Sequence, residues 1–288
     1  MGEKLREHLQ EIASQIASFE AEESQQNRPA GSASGGSRFE KEVSSGIASL
    51  VALLCKENIA IPMRVRKELS GPFPRRSKLT GDNVVAVESL STGRFIVFNL
   101  ENLVLDQESC PYKGTKTVPD NWLKKAFLVE EWCDLRIEDI EKIGVIPDEH
   151  EGLPFAGPAY RQIYRGLKTE FDGVILFVEG DQLLSKTLVE IKSAKSSRRR
   201  RIDGNAHERF SYQNLDYVEI GAKYLRTELL LLTNDAYIRY KNKYHTGFAV
   251  HALRLGQAFS WYRFSMVSSA GQYLRLFEGW VDWLEGKR

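Results

Sequence analysis

Near the amino terminus, Leu5, Leu9, Ile12, Ile16 and Phe19 recur at spacings of four, three, four and three, which predicts an amphipathic helix over residues 3–22 with a narrow apolar seam. Such a seam suits either the body of the protein or the same helix of a second copy, and spacing does not separate the two. The stretch "SQQNRPAGSASGGS", residues 24–37, has no apolar period and reads as a flexible linker. From Arg38 to Lys56 a broader stripe returns through Phe39, Val43, Ile47, Leu50, Val51 and Leu54, predicting a second, better-buried helix with Glu40 and Glu42 near its start.

The period then changes from helical to alternating. "NVVAVESL" and "GRFIVFNL", joined through Ser-Thr-Gly, read as a β-hairpin within residues 59–118. "NWLKKAFLVEEWCDLRIEDIEKIG" has helical spacing and stops at Gly144. From Glu170 to Thr233 the order is strand "EFDGVILFV", turn "EGDQ", strand "TLVEIK", a basic loop, helix "HERFSYQNLDYVEIGAKYLR" and strand "ELLLLT". The last strand is a continuous apolar run, as expected where both faces are covered. Residues 236–288 are rich in aromatics and finish in the helical stretch "QYLRLFEGWVDWLEG". These elements predict an α/β fold with a central mixed β-sheet flanked by helices, the residues before 38 forming an amino-terminal helix and linker.

Composition adds little until charge is located. The 288 residues carry a formal net charge of +1, and no apolar run approaches the roughly 20 residues that span a bilayer. The amino terminus has no signal-like apolar block, so a soluble, cytoplasmic protein with no membrane partner is expected. Cys55, Cys110 and Cys133 are widely spaced and form no Cys-x-x-Cys pair, so they are expected to be buried small hydrophobes rather than a disulfide framework or zinc site. His8, His150, His245 and His251 have no metal-ligand spacing, and His207 stands where a helix begins, as a capping or surface histidine would. Nine acids fall between Glu130 and Glu151, whereas Lys192 to Arg201 holds six basic residues and no acid. That basic strip suits a polyanion-binding face, although a basic run alone is more often a solvated loop.

The chemistry concentrates on the hairpin. Alternation puts Leu188, Glu190 and Lys192 on one face of a strand in apolar company, and an antiparallel partner about 5 Å away would bring Asp172 beside them. Two carboxylates are hard ligands suited to Mg²⁺, and an adjacent lysine can orient a water or offset charge on phosphorus.

"TEFDGV" followed by "VEIK" resembles the PD-(D/E)XK nuclease superfamily, with Phe171 where the family usually has Pro. The resemblance implies a restriction-endonuclease-like core. It also implies a Mg²⁺ held by Asp172, Glu190 and the backbone carbonyl of Ile191, with Lys192 catalytic and Glu40 contributing from the preceding helix. Lys195, Arg198, Arg199, Arg200, Arg201 and Gln213 would contact DNA, the arginines through phosphates or base edges; an ordinary helix face is the alternative for Gln213. The large elaborations at 59–150 and 236–288 favour a type II restriction endonuclease that cuts double-stranded DNA as a homodimer. A repair or recombination nuclease with the same core, or a non-catalytic DNA-binding protein, is the alternative.

Overall fold

A computed structural model describes residues 2–19, 34–64, 83–106, 110, 117–118, 171–193, 227–235 and 254–287. The helices expected at 121–144 and 207–226, and the basic loop between Lys192 and the second of them, lie outside the described residues.

Helix α1, Glu3–Ser18, ends four residues earlier than its apolar seam suggested, with Phe19 at its C-cap. Helix α2, Ser34–Lys56, starts four residues earlier than expected, so Ser34 to Ser37 are helical rather than linker. Two glycines there make a poor first turn on propensity, but a long, well-packed helix propagates through weak formers once nucleated. α2 closes in a Schellman motif: Asn58 adopts φ 55°, while the Asn58 and Ile59 amides donate to the Cys55 and Leu54 carbonyls at 3.2 and 2.9 Å. The stripe read from sequence is the buried one, since Phe39, Val43, Ile47, Leu50, Val51 and Leu54 are all in the core.

Among the described residues seven strands follow: β1, Ala60–Met63; β2, Val84–Ser89; β3, Arg94–Leu100; β4, Gly173–Glu179; β5, Gln182–Lys192; β6, Thr227–Thr233; β7, Phe264–Val267. They form one sheet in chain order, with antiparallel neighbours from β1 to β5 and parallel pairing of β5 with β6 and β6 with β7. The mixed sheet is as expected; β1 and β7 were not legible, being only four residues each. The last helix, α3, Ala270–Leu284, begins with a Ser269/Gln272 capping box two residues before the expected start.

Alternation divides the sheet into two faces. One carries Val85, Val87, Ile96, Phe98, Leu100, Ile175, Val189, Ile191, Leu230 and Leu232, and α1, α2 and α3 all pack against it in a single core. The seam of α1 is therefore spent on its own chain, with Gly46 of α2 so close to Ile16 that a Cβ there would overlap it. The other face carries Met63, Ala86, Val97, Val174, Leu176, Leu188, Leu229 and Leu231, with Tyr262 packed on them. α1, α2 and α3 pack on the first face; among the described residues, 254–258 are also helical and bring Leu255 against the second.

The cysteine expectation needs correcting. Cys55, at the end of α2, is disulfide-bonded to Cys110, 55 positions further on. Neither spacing nor motif could signal the pairing, because it depends on the segment after β3 returning to the end of α2.

Candidate functional site

The site is built on the β4–β5 hairpin, and its geometry turns on a bulge. At the turn the partners are Glu179↔Gln182 and Val178↔Leu183, but from Phe177↔Ser185 onward the register is offset by one, giving Gly173↔Val189. Leu184, half-buried, is the extra residue. Residues directly opposite each other share a face, and a one-residue slip reverses it. In a bulge-free hairpin Asp172 would stand opposite Val189, against the helical core. With the bulge, one step beyond Gly173↔Val189, it stands opposite Glu190. The same shift explains how odd-numbered Leu183 and even-numbered Leu188 pack into one cluster.

Gly173 lets β4 start tight against β3, since a Cβ there would come within 2.8 Å of the Leu100 side chain and 3.0 Å of the Asn99 carbonyl. Asp172, just before the strand, is 3 % exposed, and its Oδ2 accepts a hydrogen bond from the Ile191 amide at 2.8 Å. The carboxylate thus takes the place of a ladder carbonyl that β4, not yet begun, cannot offer. An extended residue turns its N–H and C=O to the same edge, so the Ile191 carbonyl is directed toward the side on which Asp172 lies.

Glu190 is fully buried. It stands between Leu188 and Lys192 on its own strand face and opposite Leu231 on β6. A carboxylate in such surroundings is strongly unfavourable unless paired, and the Lys192 Nζ pairs with Glu190 Oε1 while lying 3.5 Å from Asp172 Oδ2. Burial pushes the Lys192 ammonium down, but the charges of Glu190 and Asp172 and the hydrogen bonds to them outweigh it and hold the group above its ordinary value. Lys192 therefore joins the two carboxylates singled out from sequence.

The surrounding end of the sheet is tied down on several sides. Thr233, opposite Lys192, accepts a hydrogen bond on its carbonyl from the buried Tyr273 hydroxyl at 2.8 Å. The Asn234 side-chain amide donates to the Phe19 carbonyl at 3.0 Å, and the Glu101 backbone amide donates to the Asp172 carbonyl at 3.3 Å.

Glu40 is half-buried on α2, whose apolar stripe packs on the face opposite to Glu190 and Lys192. Its link to the site runs round the strand ends: Ser44, one turn on and on the same helix face, donates to the Glu101 carbonyl at 2.7 Å, and Glu101 leads to Asp172. Glu42 accepts from Gln15 Nε2 at 2.7 Å and so is engaged with α1. Lys195, Arg198, Arg199, Arg200, Arg201 and Gln213 lie outside the described residues. Sequence reasoning missed Asn99 and Glu101, which alternation places on the Asp172 face at the end of β3.

Among the described residues no group of three or more His, Cys, Asp and Glu side chains stands close enough to hold a metal ion. The donor set at this hairpin is smaller: two carboxylates and a backbone carbonyl. That suits Mg²⁺, which is commonly held by one or two carboxylates and completes its octahedron with waters and phosphate oxygens. A cleft of about 620 Å³ lies elsewhere, between α1, the end of α2 and β1, lined by His8, Glu11, Lys56 and Pro62; it adjoins none of the three site residues.

Among the described residues no helix is long and apolar enough to cross a membrane. Comparison of the chain with protein-family models, with curated proteins and with solved structures gives no match in any of the three. Fold and site define a class: an α/β protein with a seven-stranded mixed sheet and a buried Asp–Glu–Lys cluster at one end of a bulged hairpin.

Proposed function

We propose that the protein is a Mg²⁺-dependent nuclease hydrolysing phosphodiester bonds in double-stranded DNA, specifically a type II restriction endonuclease acting as a homodimer. The observation that carries this reading is the convergence of Asp172, Glu190 and Lys192 on one face of β4 and β5, reached only through the Leu184 bulge. Asp172, Glu190 and the Ile191 carbonyl are the groups that would hold the metal. The ion, when bound, would polarise phosphoryl oxygens and acidify a bound water. Asp172 is fixed by the Ile191 amide, so it meets a cation without reorganising. Lys192, drawn off its carboxylates by a competing cation, is placed to orient a water or to offset charge on the phosphorus. Lys195 and the four arginines that follow β5 would then meet the phosphate backbone beside the scissile bond.

A second reading has an observation of its own. Lys192 already pairs with an oxygen of each carboxylate, which is also what a structural ion cluster in a non-catalytic DNA-binding protein would do. Lys192→Ala separates the two. Full-length wild type and variant are incubated with mixed DNA and Mg²⁺, and the ends are sequenced. Uniform 5′-phosphate ends from the wild type, lost in the variant while DNA binding persists, support the nuclease. Equal cleavage by both would sink it, and cutting confined to branched or nicked DNA would move the assignment to a repair nuclease.

A further inference from the structure

Asn99 is a buried polar side chain on the face of this site that the chemistry above does not use. It lies on β3 at the parity of Phe95 and Val97, opposite Val84 and Val174, and is 1 % exposed. Among the described residues neither its Nδ2 nor its Oδ1 has a hydrogen-bond partner. Burying an amide with donor and acceptor both unsatisfied opposes folding, and an apolar residue of the same shape would be neutral or better there. The position is not arbitrary. Asp172 lies two residues before Val174 on β4, so Asn99 and Asp172 are diagonal neighbours on one sheet face, within reach of each other through a single small molecule.

We propose that Asn99 is a positioning residue for the cation site: its Oδ1 accepts a hydrogen bond from a water bound to the ion that Asp172 and Glu190 carry. The polarity fits, because a metal-bound water offers hydrogens and needs an acceptor, and outer-sphere partners of this kind commonly tune affinity. The inference rests on the Mg²⁺-dependent reading above and adds to it a residue that touches neither the ion nor the protein groups holding it.

The test is Mg²⁺ titrated calorimetrically into full-length wild type, Asn99→Leu, Asn99→Asp and Asp172→Asn, with unfolding midpoints recorded in metal-free buffer. Asn99→Leu is expected to be at least as stable as wild type without metal and to bind Mg²⁺ about 10-fold more weakly. Asn99→Asp, which keeps an acceptor at the same place, is expected to bind at least as tightly as wild type. Unchanged affinity in Asn99→Leu, with Asp172→Asn abolishing binding, overturns the role of Asn99 and leaves the site reading intact. Should Asn99→Leu fail to fold, weakened binding by Asn99→Asp overturns it equally. Wild type that takes up no Mg²⁺ overturns both.

Discussion

Replacing Lys192 by Met removes one positive charge and leaves two carboxylates behind, Asp172 with 4 % and Glu190 with none of its side chain exposed. The lysine itself is partly open to solvent, but both of its partners are not, so water cannot take over the pairing. Removing one member of a buried pair costs about 3–5 kcal/mol. For a chain of this size each kcal/mol moves the midpoint by roughly 2–4 °C, so a fall of about 6 °C or more is expected. Thermal unfolding of wild type, Lys192→Met and the double variant Lys192→Met/Glu190→Gln, followed by circular dichroism in metal-free buffer, measures it. The double variant should recover most of the loss, since the fully buried charge is gone. Mg²⁺ should raise the midpoint of Lys192→Met more than that of wild type, because no ammonium competes for the carboxylates; a cation at about a hundred times its dissociation constant returns roughly 2.7 kcal/mol. A midpoint for Lys192→Met within a degree or two of wild type, with no recovery in the double variant, would refute the reasoning at its root.

Two other groups make separate demands. Lys186 lies on the same sheet face, opposite Leu176 and Thr227, and burial lowers its pKa to about 8 against 10.5 in the unfolded chain. Between those values the unfolded state binds more protons, so stability should rise with pH from about 8 to 10.5 by a ceiling of roughly 3 kcal/mol. Below pH 8 both states are protonated and the fold bears the whole cost. Lys186→Met should therefore be the more stable protein at pH 7, and urea midpoints across that window should rise for wild type relative to the variant; parallel curves would contradict this. The Cys55–Cys110 bond predicts one titratable thiol among the three cysteines when the chain is denatured without reductant. Reduction should cost up to about 4 kcal/mol for a loop of this length, and three titratable thiols would show the bond absent.

What the sequence could disclose follows from which constraints are local. The stripe from Phe39 to Leu54 and the run from Thr227 to Thr233 were legible because helical and strand periods are written in consecutive residues. Glu190 and Lys192 were placed on one face by the same rule. Asp172 was different: its order before them was legible, but its face was not, since a regular hairpin closed at Glu179 and Gln182 would have turned it toward the helical core. The bulge at Leu184 reverses that. Its one trace in "DQLLSKT" is the doubled leucine, and two apolar residues in succession read as easily as a strand covered on both faces. Asn99 escaped notice for the complementary reason. Within "RFIVFNL" it continues the alternation of Phe95 and Val97 and reads as the frayed end of a strand, and only the non-local register of β3 on β4 puts it beside Asp172. The chemistry of the site is thus carried by residue types that sequence reveals, while its assembly depends on two registers, one offset by a single residue, that only the folded sheet specifies.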